Sequence, residues 1–403
     1  MEIYLARQPI FDKNKEIYGY ELLFRDGLIN IFPKINGDVA TSKILSNTFF
    51  SIGLDQIVGD KKAFINFTKE LLINKIPTIF PKANIVVEVL EDVEPDDDVI
   101  ESCRFMSKQG YEIALDDFFY EEKLIPLISI ANIIKFDFRL TPPDHIRNVL
   151  RKLSAYKLTF LAEKIETYEE FNEALKMGFS YFQGYFFSKP EILKGKDIPS
   201  YKINYLQILS EINKENFKFS ELENIINRDI SISYKLLKYL NSAFLGRPNK
   251  ISSIKDALIL LGESGIKQFI SVIATAGLAS DKPDELIRSS IIRAKLCELL
   301  GSLSKTYIDK SELFIVGLFS QLDAMLDNKM ETLLVELPLS DKVKKALISR
   351  EGEMGDYLNF SSCYEKGNWN SCSILTSNLE IDEKQIPKFY IEAVNWAEAY
   401  TKL

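Results

Sequence analysis

The sequence predicts an α/β protein, a TIM-like (β/α) barrel followed by an all-α helical domain. Three observations lead there. Up to about residue 195, short apolar runs alternate with longer amphipathic ones. Ten of the fourteen prolines precede residue 201. Beyond that point the sequence reads as helix after helix. Strands alternating with helices imply a parallel sheet, and this many repeats suits a closed barrel better than an open one. A chain of 403 residues divides naturally into two domains of roughly 200. They are placed at 1–195 and 201–403, with Ile192–Ser200 as the linker.

The strand candidates, in order, are Ile3–Leu5, Tyr18–Phe24, Ala63–Phe67, Ile85–Val89, Glu112–Leu115, Ile133–Phe136, Thr159–Ala162 and Tyr181–Phe187. Helix-like segments lie between them at Val39–Ile52, Asp98–Gln109, Asp144–Ala155 and Tyr168–Met177. Gly110 and Gly178 stand where helices would stop. The stretch is slightly short for a TIM barrel, so one unit is expected to be irregular. In the second half Ile254, Ala257, Leu258 and Leu261 fall at i, i+3, i+4, i+7, followed by Gly262 as a stop. Asp229 is placed as the N-cap of a helix running to about Asn241.

Composition excludes several functions. No stretch approaches the roughly 20 uninterrupted apolar residues of a membrane span. The N-terminus lacks a basic region followed by an apolar run. A cytoplasmic protein with no membrane partner is therefore expected. The net charge of −8 argues against nucleic acid as a partner, since that needs a basic face. The four cysteines (Cys103, Cys297, Cys363, Cys372) form no CxxC pair and read as reduced thiols. His145 is the single histidine, set in the first turn of a helix and read as surface decoration. One histidine excludes Ser-His-Asp triads and paired-histidine zinc sites. Any metal site must use carboxylates and amides, which favours Mg²⁺ or Mn²⁺.

Polar residues interrupt the apolar strands in a regular way. Glu21 follows Tyr18-Gly-Tyr, Asn66 follows Ala-Phe-Ile, Glu88 follows Ile-Val-Val, and Asp116-Asp117 follow Ile-Ala-Leu. Lys135 follows Asn-Ile-Ile, Glu163 follows Phe-Leu-Ala, and Gln183 follows Tyr-Phe. In a parallel barrel these positions converge on the C-terminal rim, where barrel active sites form. Two like charges about 4 Å apart cost about 4 kcal/mol at an effective dielectric of 20. Five or more carboxylates on one rim therefore call for cations or protonation. Neighbours in a regular strand point to opposite faces, so Asp116 and Asp117 both reach the rim only where their strand ends. An aspartate there can bridge two metals in a phosphoryl-transfer site. Taken singly, Glu21 or Asn66 reads as structural, Asp116 as a cap and Lys135 as an ion-pair partner. The series in register reads as a site.

These motifs resemble the EAL domain, which hydrolyses the bacterial second messenger cyclic di-GMP, over roughly residues 1–195. The resemblance is carried by Gln8-Pro9-Ile10, Glu21-Leu22-Leu23-Phe24-Arg25, Ile65-Asn66-Phe67 and Glu88-Val89-Leu90-Glu91. Asp116-Asp117-Phe118, Lys135-Phe136-Asp137, Glu163-Lys164-Ile165-Glu166 and the run Gln183 to Pro190 complete it. It implies a two-metal Mg²⁺ or Mn²⁺ site, with Glu21, Asn66, Glu88 and Asp116 holding one ion and Asp116 and Asp117 the other. Lys135 and Glu163 would handle the attacking water and the developing charge, with Glu166 and Gln183 in support. Gln8, Leu23, Arg25 and Pro190 would bind substrate, Gln8 at a guanine and Arg25 at a phosphate. Glu91 and Asp137 would act from behind these groups. Two positions depart from the pattern. Phe119-Tyr120-Glu121-Glu122-Lys123 replaces a glycine-led loop that Glu91 normally anchors, and Lys164 stands where the family has glycine.

The second half resembles the HDOD domain, a helical relative of metal-dependent hydrolases. Ser320-Gln321 stand where those hydrolases carry a His-Asp pair, and Asn241-Ser242-Ala243-Phe244 also fit. The pairing implies a bacterial EAL–HDOD signalling protein that opens cyclic di-GMP to linear pGpG, with a protein partner on the HDOD half and a homodimer through the barrel. The alternatives are a degenerate EAL receptor or scaffold that binds without hydrolysis, and a barrel enzyme for another phosphorylated metabolite.

Overall fold

In a computed structural model, the structure describes residues 3–26, 54–188, 200–214, 230–241, 254–305, 307–335 and 337–401. The expected helix at Val39–Ile52, the linker before Ser200, Asp229, Ser242–Phe244 and Pro190 lie outside them. Of Arg25 only the backbone is described.

Eight strands close into a barrel in sequence order. They are β1 (Ile3–Asp12), β2 (Ile17–Asp26), β3 (Lys62–Phe67), β4 (Ile85–Val89), β5 (Glu112–Leu115), β6 (Ile133–Asp137), β7 (Thr159–Glu163) and β8 (Tyr181–Gln183). From β2 to β8 every neighbouring pair is parallel. The irregular unit is the first, because β1 runs antiparallel to both β2 and β8. Its connection to β2 is too short for a crossover, which needs a dozen or more residues. Asp12 closes that hairpin, its carboxylate accepting from the backbone N–H of Asn14 at 2.7 Å and of Glu16 at 3.0 Å. Strand β1 is also longer than Ile3–Leu5, since its far half pairs with β8.

Helices α1 (Leu54–Val58), α2 (Lys69–Ile73), α3 (Asp97–Gln109), α4 (Ile125–Ile128), α5 (Pro143–Leu153) and α6 (Tyr168–Lys176) connect the strands. Local chemistry sets the longer ones. Asp96 caps α3 through Val99 N–H at 3.0 Å, and Gly110 ends it at φ 91°. Thr167 and Glu170 form a reciprocal capping box on α6. His145 is exposed in the first turn of α5.

The barrel interior is layered. Ile10, Phe64, Val86, Ala114, Ile133 and Leu161 form one buried cluster, with Tyr18 and Tyr181 packed against it. Phe64, Val86, Ala114, Ile133, Leu161 and Tyr181 each lie two residues before a polar residue singled out in the sequence. A period of two keeps both on the inward face, so the apolar layer is the floor beneath a polar one. Gly19 makes room for that floor, since a Cβ there would come 3.1 Å from the Phe64 ring.

The chain divides into two compact units, the second built on Ser188–Tyr364 and Asn368–Leu403. That unit is helical among its described residues: α7 (Ser200–Ile212), α8 (Ile230–Leu240), α9 (Ile254–Leu278), α10 (Asp284–Gly301), α11 (Lys310–Phe319), α12 (Leu322–Leu326), α13 (Met330–Val335), α14 (Asp341–Ser349), α15 (Glu353–Glu365), α16 (Trp369–Leu379) and α17 (Ile386–Thr401). Gly262 breaks α9 with φ 65° and ψ −179°, as its stop position predicts. By length and composition Ile259–Leu278 is apolar enough to cross a membrane. Gly262 interrupts it, however, and Ile266, Phe269, Ile270 and Ile273 are buried in the helical unit, so it serves as a core helix. The cysteines are free, and three of them are buried.

Gly184, just past β8, has φ 146°, and a Cβ there would sit 2.0 Å from the Ile165 carbonyl oxygen. Gly184→Ala is expected to lower unfolding free energy by about 3 kcal/mol or more, from left-handed strain plus a backbone clash. The urea midpoint measures it, and an unchanged midpoint refutes this account of the turn.

Candidate active site

The polar layer converges as the barrel register requires. Lys135, from the middle of β6, is fully buried. Its ammonium lies 2.7 Å from Asp116 Oδ1, 2.7 Å from Glu88 Oε1, 2.9 Å from Glu163 Oε1 and 3.6 Å from Glu21 Oε2. Four carboxylates from four places on the rim therefore meet one cation. Amides complete the arrangement. Asn66 donates its side-chain N–H to Glu21 Oε1 at 3.0 Å, and Gln183 donates to Glu21 Oε2 at 2.6 Å and to Gln8 Oε1 at 3.1 Å.

The Asp116-Asp117 pair reaches the rim by breaking the strand. Asp116 N–H still bonds to Val89 O at 3.0 Å, and Phe118 N–H bonds to Lys135 O at 3.0 Å. Between them Asp117 has φ 36°, which cancels the alternation that would send it to the other face. Asp116, Asp117 and Glu163 each offer an oxygen, and the three oxygens lie within 4.8 Å of one another. Among the described residues this is the one group of three or more His, Cys, Asp or Glu so placed.

Charge and burial compete here. Burial raises the Glu88 carboxyl well above the usual range, against the pull of Lys135 and with Glu21 and Asp116 adding to the rise. Burial likewise pushes Glu163 up to about 8, Lys135 opposing and Asp116 and Glu21 assisting. Asp117 rises through burial and its neighbour Asp116. For Lys135, burial favours the neutral amine, but Glu163, Glu21, Glu88 and Asp116 outweigh it and hold the proton well above the usual range.

The donor set fits a hard cation. Asn66 Oδ1, Glu88 Oε2, Asp117 Oδ1 and Gln183 Oε1 are buried without a hydrogen-bond partner. Such oxygens are costly unless something positive or a donor meets them. The set is all oxygen, which matches a Mg²⁺- or Ca²⁺-like ion and not a soft one.

The remaining expected residues sit further out. Asp137 is buried at the end of β6, its Oδ1 accepting from Arg139 N–H at 2.6 Å and Leu140 N–H at 3.1 Å. Glu91 is exposed in the wall of a cavity of about 190 Å³ that also touches Asp117, Phe118 and Lys123. Glu166 is half-exposed and meets Arg139 Nη2 at 3.4 Å, away from the Lys135 ammonium. Leu23 is half-buried on β2. Sequence reading assigned no role to Lys164. Its ammonium pairs with Asp137 and lies 3.9 Å from Asp117 Oδ2. The signal available was a long cation directly after Glu163, at a position matched by glycine in the resembling motif.

In the helical unit the Ser320-Gln321 position holds no ligand set. Gln321 Oε1 accepts from Ser289 Oγ at 2.8 Å and Ser290 Oγ at 2.9 Å, and Arg293 donates to Ser320 Oγ at 3.2 Å.

Comparison with known proteins agrees with both halves. A family described as the EAL domain matches residues 46–190, and one described as the HDOD domain matches 198–347. The protein YuxH of Bacillus subtilis (strain 168), an uncharacterized protein, is 36% identical over 404 residues, covering 98% of each chain. Cyclic di-GMP phosphodiesterase CdgJ of Vibrio cholerae is 36% identical over 403 residues, covering 99% of this chain and 93% of that one. Among solved structures, the cGMP-bound EAL enzyme Bd1971 is 24% identical with a TM-score of 0.39, over 47% of this chain and 63% of that one.

Folding takes up a proton at Glu163, because its carboxyl lies near 8 in the fold against an ordinary 4.5. Glu88 and Asp117 shift in the same direction. That contribution to stability is full below about pH 4.5 and is lost as pH rises through about 8. Chelator-treated protein is therefore expected to lose Tm between about pH 5 and pH 8, and Glu163→Gln to flatten the slope. Calorimetry across that window checks it, and equal slopes in both proteins would refute it.

Proposed function

The chain belongs to the EAL–HDOD family, and from that premise we propose that it hydrolyses cyclic di-GMP to linear pGpG with the help of divalent cations. The observation that carries this reading is the single buried ammonium of Lys135 shared by Glu21, Glu88, Asp116 and Glu163. One positive charge does not neutralise four carboxylates plus Asp117, and the site is matched to a ligand that arrives with cations and phosphates. The 36% identity to a protein named cyclic di-GMP phosphodiesterase, over 93% of its length, supports the substrate.

In this reading Glu21, Asn66, Glu88 and Asp116 hold one Mg²⁺ or Mn²⁺, and Asp116 and Asp117 hold a second, with Glu163 beside them. When bound, the ions supply positive charge and Lewis acidity opposite the phosphate. Water adds across one P–O3′ bond. Glu163, beside Asp116 and Asp117 and within reach of the Lys135 ammonium, would orient that water and take its proton once bound cations favour its carboxylate form. Lys135 stays charged and faces the negative charge growing on the phosphoryl oxygens. Gln183 and Asn66 fix the Glu21 carboxylate, and Glu166 supports from the rim. Asp137 holds the loop after β6, and Glu91 backs Asp117. Gln8, Leu23, Arg25 and Pro190 bind the nucleotide, Gln8 at guanine and Arg25 at phosphate. The HDOD half is the regulatory element and takes a protein partner, and the barrel pairs with a second copy.

A receptor that binds cyclic di-GMP without opening it is the second reading. The contact of Lys164 with the Asp117 region favours it, since a resident cation competes with an ion there.

Incubation with cyclic di-GMP and Mg²⁺ or Mn²⁺, followed by chromatography, tests the proposal. Product is expected from the unsubstituted protein and none from Glu21→Ala. Lys135→Ala is expected to lower kcat by at least about 10³-fold, the scale of losing one preorganised charge, while retaining metal-dependent binding. Tight binding without product from the unsubstituted protein would establish the receptor instead.

A further inference from the structure

Lys164 is placed with unusual care for a half-exposed lysine. It follows Glu163 at the end of β7, in left-handed backbone at φ 57°. Lysine gains nothing from that conformation, which favours Gly or Asn. What the turn achieves is directional. The side chain reaches back along the rim, and its ammonium pairs with Asp137 Oδ2 while lying 3.9 Å from Asp117 Oδ2. The anchor is rigid, because Asp137 Oδ1 is held by the N–H groups of Arg139 and Leu140 at 2.6 and 3.1 Å. The other oxygen of Asp117 is buried and has no hydrogen-bond partner. Asp117 is thus half engaged by a resident cation and half open, beside Asp116 and Glu163.

Resting on the two-ion reading above, we propose that Lys164 is a positioning residue whose ammonium stands in for charge at the Asp117 side of the site, so that this protein loads one divalent cation tightly and the second weakly. An ammonium contributes one positive charge and no coordination position, so it satisfies part of the field of Asp117 while repelling a dication drawn to the same oxygen. Glu21, Asn66 and Glu88 on strands β2 to β4, with Asp116 just past β5, would hold the first ion, and the ion pairs of Lys164 are made with Asp117 and Asp137 instead. With half of its side chain exposed, Lys164 can withdraw to solvent when a second ion or the substrate arrives. The second site is therefore conditional on substrate or on high metal concentration.

Mn²⁺ titration of the full-length protein, read by calorimetry and by electron paramagnetic resonance, tests this without reference to turnover. The unsubstituted protein is expected to bind one Mn²⁺ tightly and a second at least about tenfold more weakly, a difference of about 1.4 kcal/mol. Lys164→Gln, which removes only the charge, and Lys164→Gly, which also relaxes the backbone, are both expected to tighten the second ion by about tenfold. They should leave the first within about twofold and bring on the broadened spectrum of paired Mn²⁺ at lower metal concentration. Lys164→Arg, which keeps the charge, is expected to retain the weak second site. Unchanged second-ion affinity in both Gln and Gly variants, with the first ion bound normally, overturns the proposal and leaves the two-ion reading standing. Two equally tight ions in the unsubstituted protein also overturn it. No tight Mn²⁺ in any of the proteins overturns the two-ion reading, and this inference with it.

Discussion

The buried ammonium of Lys135 is the contact on which the rest of the site depends. Burying a carboxylate without compensation is expensive, and breaking a buried ion pair by removing one partner typically costs about 3–5 kcal/mol. Here Glu88 and Lys135 are both fully enclosed, while Glu21, Asp116 and Glu163 press on the same charge. The cluster is stable only as a set. Its surplus of negative charge leaves carboxyls raised and oxygens unpartnered, a donor set that fits a hard cation. Structural stability and chemical readiness arise from the same imbalance.

The barrel makes that imbalance tolerable. Its closure removes sheet edges, and the layer of Phe64, Val86, Ala114, Ile133 and Leu161 seals the floor two residues below the polar ring. The ring is then open only toward the rim. The hairpin of β1 and β2 alters the simple barrel by bringing Gln8 opposite Glu21, while β8 brings Gln183 alongside. An amide pair thereby joins the carboxylates from a direction that a fully parallel barrel would fill differently. Gly184 and Ile165 lock the loop after β7 against the end of β8, which fixes where Glu163 and Lys164 project.

The helical unit follows the opposite logic. A Cβ on Gly317 would lie 2.4 Å from Ala294 N, so α10 and α11 cross backbone to backbone. At that crossing Gln321, Ser289, Ser290, Arg293 and Ser320 satisfy one another. A neutral amide where the resembling hydrolases place a charged pair turns a ligand position into a packing position. At this crossing the helical unit is held by close backbone packing and a mutually satisfied polar cluster.

Much of this was legible in the sequence, because the period of two in a strand converts directly into one face. All eight strands, β4 and β5 at both ends, and every member of the Lys135 cluster could be read from apolar runs ending in a polar residue. Strand β8, however, stops at Gln183 and not at Phe187, because Phe186–Ser188 coil into a short 3-10 turn. The adjacency of Asp116 and Asp117 already implied a broken strand, and φ 36° at Asp117 is that break. The family resemblance, with its departures at Phe119–Lys123 and Lys164, was likewise readable. Other features required the fold. The direction of β1 is set by a turn too short for a crossover, and its pairing with β8 is a contact between residues far apart in the chain. That Glu166 faces Arg139 and not the buried cluster follows from a loop path that spacing does not encode. The partner of Lys164 is decided by a left-handed turn and by three loops meeting in space. Sequence determines which residues share a strand face; only tertiary structure decides which charges end up within reach of one another, because Coulomb energy depends on distance in space and not along the chain.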